Sequence, residues 1–244
     1  MHTLLFRRYP GFCPALQRGG AGLGLLLLGL ALPLAAQQQR AGARASRPGG
    51  TRGAVVLDTL TARPVLYAVG VAEGGGEIVV LGGQALTTRH RSDGATETTT
   101  GFAGRAVWLL QRRVVRWNAP MAVPATITSY AQLAHFIQQA ATRAGLDRKT
   151  EQPFRLVGNS PAVWWHVATY PTAGPTDEAA PAFGAHGWFA QGAVDLIGFL
   201  HPRTRRDVPA RLHLHGCPGA QPFAMHVDSL RVGPGVRLLL PALP

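Results

Sequence analysis

Two cysteines in 244 residues leave little for a covalent framework. Cys13 lies in an N-terminal apolar region, so a processed chain keeps Cys217 alone and cannot close an internal disulfide. Stability must therefore come from a packed core. Lysine is almost absent: Lys149 stands alone, and arginine carries nearly all of the 24 positive charges set against 12 negative ones. The formal charge of +12 is spread along a chain rich in Ala, Gly and Pro, and its densest cluster is RTRR at 203–206. A nucleic-acid footprint needs a basic patch or stripe, so no nucleic-acid partner is expected. Internal repeats, H-E-x-x-H, G-x-S-x-G and the P-loop are all missing, and EGGGE (73–77) lacks the spacing of a dinucleotide loop. Serine hydrolases and nucleotide enzymes thus have no foothold.

The N-terminus has its own pattern. Arg7, Arg8 and Arg18 precede the apolar run GLGLLLLGLALPLAA, which ends in Ala35-Ala36 before Gln37. Residues 1–36 read as a secretory signal peptide, because the run is short for a membrane span and is interrupted by Gly and Pro. Residues 37–53 carry no apolar periodicity and read as a flexible linker. Residues 54–244 then form one domain, large enough for a substantial core. A secreted or periplasmic protein is expected, with no membrane contact after cleavage.

Most of the remainder reads as strands. AVVLDTL, PVLYAVGV, EIVVLGG, AVWLL, RVVRW, FRLVG, AVWWHVATY, AVDLIGFL, ARLHLHG and FAMHVDSL are short and rich in Val, Leu, Ile and aromatics. SYAQLAHFIQQAATRAG differs. Its Leu133, Phe136, Ile137 and Ala140 fall at helical spacing, with Ser129 as N-cap and Gly145 as the stop. His135 sits off that stripe and should be solvated. The expected class is α+β, a mixed or antiparallel sheet with one main amphipathic helix. The stretch 170–187 reads as a surface loop or lid.

Three of the nine histidines fall within fourteen residues, at 213, 215 and 226. In R-L-H-L-H the strand period of two puts His213 and His215 on one face and Leu212 and Leu214 on the other. GCPGAQP supplies a turn that can return His226 to the same point. Three neutral imidazoles leave one coordination position open on a zinc-like ion, as in catalytic sites, although Mn, Fe, Ni or Cu suit the same ligands. The bland alternative is a surface hairpin with merely polar histidines. Cys217, in the turn, reads as a buried thiol, and His90, His186 and His201 are assigned nothing.

H-x-H, ten residues, then H resembles the metal motif of the α-acetolactate decarboxylase family. GAVDLIGFLHPRTRRDVPARLHLH resembles that family's apolar strand, Pro-containing loop and HLH strand. VGVAEGGGEIVVLGG resembles its glutamate-bearing stretch, and FRLVGNSPAVWWHV the strands around its catalytic arginine. The resemblance covers most of residues 54–232 and implies an acetolactate-decarboxylase-like fold. It further implies decarboxylation of 2-acetolactate to acetoin and CO₂, with a small hydroxy- or keto-acid substrate and a homodimer left open. On it, His213, His215 and His226 hold zinc or another divalent transition metal, a Lewis acid for the enediolate that CO₂ loss leaves behind. Glu77 is then a further ligand or the proton-handling group. The family's arginine position is filled by His166, a catalytic candidate that can be cationic or shuttle a proton, and Arg155 is a substitute cation nearby. The closing GVRLLLPALP has no counterpart of the family's acidic tail. Two further functions stay open: a family member that binds metal or a small ligand without turnover, and a metal-dependent ester hydrolase.

Overall fold

The computed structural model describes residues 55–60, 62–147, 149–169, 182–201, 211–219 and 221–243. The stretch expected as a signal peptide (1–36), that expected as a linker (37–53), the RTRR cluster and residues 170–181 of the expected loop lie outside them.

Two antiparallel sheets make up nearly the whole of the described chain. In chain order the strands are β1 (Val55–Val56), β2 (Leu66–Ala72), β3 (Glu77–Leu81), β4 (Gln84–His90), β5 (Thr96–Thr100), β6 (Arg105–Arg113), β7 (Met121–Ala122), β8 (Gln152–Thr169), β9 (Ala182–Leu200), β10 (Leu212–Pro218), β11 (Met225–Arg231) and β12 (Val236–Leu239). The one α-helix among the described residues, α1 (Tyr130–Arg143), separates β7 from β8. The first sheet runs β1-β6-β2-β3-β4-β5 and the second β11-β10-β9-β8-β12-β7, with β11 also pairing β8. The α+β expectation holds only in outline, because the molecule is mostly β. Its named strands pair antiparallel throughout, so the mixed alternative falls away.

Alternation along β2 and β3 explains the three apolar layers. Leu66, Ala68, Ile78 and Val80 face outward, under a cover of Leu57, Val55, Leu60 and Phe102. Tyr67, Val69 and Val79 face the second sheet and meet Ile197 and Phe199 of β9. Both faces of β2 are therefore buried, which is why PVLYAVGV lacks polar residues. On the far face of the second sheet, Phe154, Leu156, Leu196, Leu214 and Leu238 pack against Leu133, Ile137 and Ala140 of α1. The helix starts at Ser129, whose hydroxyl accepts from the Gln132 N–H while the Gln132 side chain caps back. Gly145, at φ 72°, takes the left-handed conformation that closes it.

Several sequence expectations need correction. FRLVG and AVWWHVATY are halves of one strand, β8, 18 residues long. AVDLIGFL is the last part of β9, which begins within the stretch expected to be a loop. AVVLDTL is mainly a 3-10 turn at Leu57–Thr59, and RVVRW contributes only Arg113, the last residue of β6. β4, β5, β7 and β12 were not foreseen, because QALTTRH and TETTT alternate with threonine rather than large apolar residues. Within β8, Gly158 is required by close approach: at φ 117°, an added Cβ there would sit 2.0 Å from the Gly235 carbonyl oxygen.

Candidate metal centre

Strand register places the histidines. In antiparallel pairs, directly opposed residues share a face. His213 opposes Phe199 and His215 opposes Ile197, so both imidazoles point toward the first sheet while Leu212 and Leu214 turn away. His215 opposes His226 across β10 and β11. His226 in turn opposes His166 across β11 and β8. One row of imidazoles thus crosses three strands, His213 and His215, then His226, then His166.

The row closes around two groups of donors. Ligand atoms of His213, His215 and His226 all lie within 4.8 Å of one another, and so do those of His166, His226 and Asp228. Within the first group the two Nε2 atoms of His213 and His215 are 2.7 Å apart. Burial, then the neighbouring histidines, pushes His213 down to about 3 and His215 well below the ordinary imidazole range. Both rings are therefore neutral near pH 7. Two facing neutral nitrogens can share at most one proton, whereas a cation satisfies both lone pairs. The donor set fits a transition-metal ion of the zinc type.

Glu77 comes from the first sheet. It opens β3, and the strand period carries it to the same face as Val79, toward the histidines. Gly76 precedes it at φ 111°, where an added Cβ would sit 2.6 Å from the Thr88 carbonyl oxygen. Arg89 pins this turn by donating to the carbonyls of Glu73 and Gly75, at 2.6 and 2.8 Å. The Glu77 side chain is 1 % exposed. Its Oε1 accepts from the Ala168 N–H at 2.9 Å, and its Oε2 lies 3.2 Å from His215 Nδ1. Burial raises the Glu77 carboxyl, partly offset by the Ala168 N–H and by His226 and His166. Oε2 and His215 Nδ1 are both buried without an aligned hydrogen bond. Glu77 is in neither convergent group. It stands behind His215, the position from which a carboxylate fixes the imidazole tautomer and leaves Nε2 free to ligate.

His166 is joined to a residue that sequence reasoning passed over. A β-bulge between Val227 and Ser229 inserts Asp228 as an extra residue in β11. Its Oδ1 lies 2.7 Å from His166 Nδ1 and 3.3 Å from His226 Nδ1. The first contact is a hydrogen bond and the second is not aligned as one. Partial burial works to raise the Asp228 carboxyl, but His166 and His226 outweigh it and hold it well below the usual carboxylate range. H-x-D in MHVD was the available signal, since residues two apart on a strand share a face. Trp108 was also missed. It opposes Val71 and shares the inward face of β6 with Leu110, which sets this indole edge-on to His213 with ring centroids 4.8 Å apart. Arg155, the substitute cation, is committed elsewhere, in a two-pronged pair with Asp195 at 2.6 and 2.8 Å. Cys217 is fully buried, as expected. His135 is exposed and bonds only Gln139 among the contacts seen.

No family model matches the chain, and no curated protein sequence does. Solved structures do. A protein from Staphylococcus aureus described as of unknown function and similar to α-acetolactate decarboxylase aligns at 13% identity, covering 82% of this chain and 79% of its own, with a TM-score of 0.55. The α-acetolactate decarboxylase of Bacillus subtilis strain 168 aligns at 14% identity over 82% and 81%, TM-score 0.56. The fold is acetolactate-decarboxylase-like. The acetolactate decarboxylase of Bacillus subtilis subspecies spizizenii agrees, at 14% identity, 83% and 84% coverage and a TM-score of 0.57. At such identities the likeness to the acetolactate decarboxylases is one of architecture, and chemistry has to be argued from the side chains.

Proposed function

We propose that this protein is a metal-dependent carboxy-lyase acting on a small 2-hydroxy-3-keto acid, 2-acetolactate being the reference substrate. The observation that carries the reading is the convergence of His213, His215 and His226, with the His213 and His215 Nε2 atoms 2.7 Å apart. Three neutral imidazoles would hold zinc or another divalent transition ion and leave it a free position. When bound, that ion supplies a Lewis acid where charge develops as CO₂ departs.

The chain's own residues do the rest. Glu77, behind His215 Nδ1, orients that ring and can pass a proton within the buried wall. His166, held at Nδ1 by Asp228 and beside His226 in the row, is the group that would meet a substrate carboxylate or pass a proton. Trp108 and the apolar layer of the first sheet keep water from the imidazoles, which strengthens every charge interaction there. The N-terminal pattern supports export, with residues 54–244 acting as the functional unit.

The test is direct. Protein loaded with zinc, manganese or cobalt is incubated with 2-acetolactate and assayed for acetoin, with His213→Ala as control. Acetoin above the control supports the reading, and no difference from the control rejects it. A second reading, binding without turnover, is favoured by one observation: Arg155 is engaged by Asp195 and a histidine stands at 166. That reading predicts ligand-dependent stabilisation of the metal-loaded protein with no product.

A further inference from the structure

The geometry points to a second divalent-cation seat on the same row, formed by His166, His226 and Asp228. It deepens the proposed metal centre and rests on it only in sharing His226. The donor atoms of the three side chains lie within 4.8 Å of one another, as do those of the first group. His226 is common to both groups, and an imidazole carries its two nitrogens on different edges of the ring. Nδ1 of His226 is the atom that faces Asp228, at 3.3 Å. That leaves Nε2 for the His213 and His215 side.

Three observations argue that this is more than a hydrogen-bonded histidine pair. First, His226 Nδ1 is buried and has no aligned hydrogen-bond partner, a condition that a protein interior rarely leaves uncorrected. A cation between it and Asp228 would correct it. Second, the donors are two imidazoles and one carboxylate on neighbouring strands, the set that binds ferrous and similar divalent ions facially with positions left open. Third, Asp228 shares the His226 face of β11 by strand alternation, and the register shift between Val227 and Ser229 leaves it without an opposed residue on β8. Such bulges are over-represented next to active sites.

Filling this seat has a defined proton balance. The hydrogen bond between His166 Nδ1 and Asp228 Oδ1 gives way and His166 offers a lone pair, while His226, with the first seat also filled, gives up its remaining N–H proton and bridges the two ions as an imidazolate, the displaced protons leaving to solvent. The ion takes their place between the same atoms. The first seat is closed in by neutral rings and the apolar sheet, whereas Asp228 is 40% exposed, so the second seat opens toward solvent and would be the exchangeable one.

Metal content decides the matter without an activity assay. The full chain is equilibrated with cobalt(II), and separately with manganese(II), then freed of excess and analysed for ions bound per chain, with the cobalt absorption spectrum recorded. Two ions in the wild type, falling to one in both Asp228→Asn and His166→Ala with the remaining cobalt spectrum intact, is the expected result. His213→Ala should also retain one, at the second seat. A single ion that His213→Ala removes and Asp228→Asn leaves in place overturns the second seat and keeps the first. A single ion that Asp228→Asn merely weakens also overturns it, since Asp228 would then only anchor His226. No ion at all rejects both. Asp228→Asn keeps the shape of the side chain, and a thermal melt of each variant separates lost binding from lost folding.

Discussion

At the His215 end of the row the imidazole is sealed, 0% exposed, with a Glu77 carboxyl behind it and Trp108 edge-on at a centroid distance of 6.3 Å. At the His166 end an ionised aspartate lies 40% exposed on a bulge. Both ends set a carboxyl group against histidine nitrogens on one continuous face. They differ in what surrounds the pair. Burial keeps the inner histidines neutral, and neutral is the state in which imidazole ligates a metal. Partial exposure lets Asp228 stay charged, so that end can hold a proton, a cation or a substrate group that changes during a reaction. The contrast teaches that residue type alone does not assign a role: the depth at which each carboxyl group is buried divides the work.

The comparison can be broken at four points, in order of expected effect on the ion. His215→Ala removes a ligand and should lower metal affinity by more than the 10–100-fold that loss of an outer partner brings; competition with a chromogenic chelator measures it. Glu77→Gln keeps the acceptor for the Ala168 N–H but not the charge behind His215, and should weaken binding by about 10–100-fold, read by the same titration.

Acidification should act on the sealed end. The folded pKa values of His213 and His215 are depressed, so the unfolded chain binds more protons below about 6.5, the ordinary imidazole value. Stability of the metal-free protein should thus fall as pH drops from there toward about 3, the His213 value, by at most about 1.4 kcal/mol per pH unit per histidine. Chemical denaturation at a series of pH values checks this, and a flat profile would contradict the neutral, buried assignment. The smallest effect belongs to Ser129→Ala. Loss of the α1 cap should cost about 0.5–2 kcal/mol in denaturant unfolding with metal affinity unchanged, because α1 packs on the face opposite the row.

Much of this was legible in the sequence where local chemistry is decisive. The helix followed from Ser129, its apolar spacing and Gly145. The His213–His215 pair followed from strand alternation, and the return of His226 from a short turn. What was illegible depends on register between distant strands. Nothing local says that His166 opposes His226, since that pairing joins two strands far apart in the chain. Asp228 and Trp108 each lie two residues from an inward-facing neighbour, His226 and Leu110, but which side chains they meet depends on pairing across strands. β4 and β5 were missed because threonine alternation gives no hydropathy signal, although Thr88, fully buried, accepts from the Ala224 N–H at 2.8 Å and ties the sheets beside the row. Glu77 was found through resemblance, and its position behind His215 could come only from coordinates.

One contact has a consequence for how this architecture persists. The group that grips Glu77 from the second sheet is the main-chain N–H of Ala168, not a side chain. Any residue but proline can stand at 168 and still offer it. The acid is clamped by the course of the chain itself, so a small substitution at 168 would not release it, and only a change in the path of the strand would set it loose.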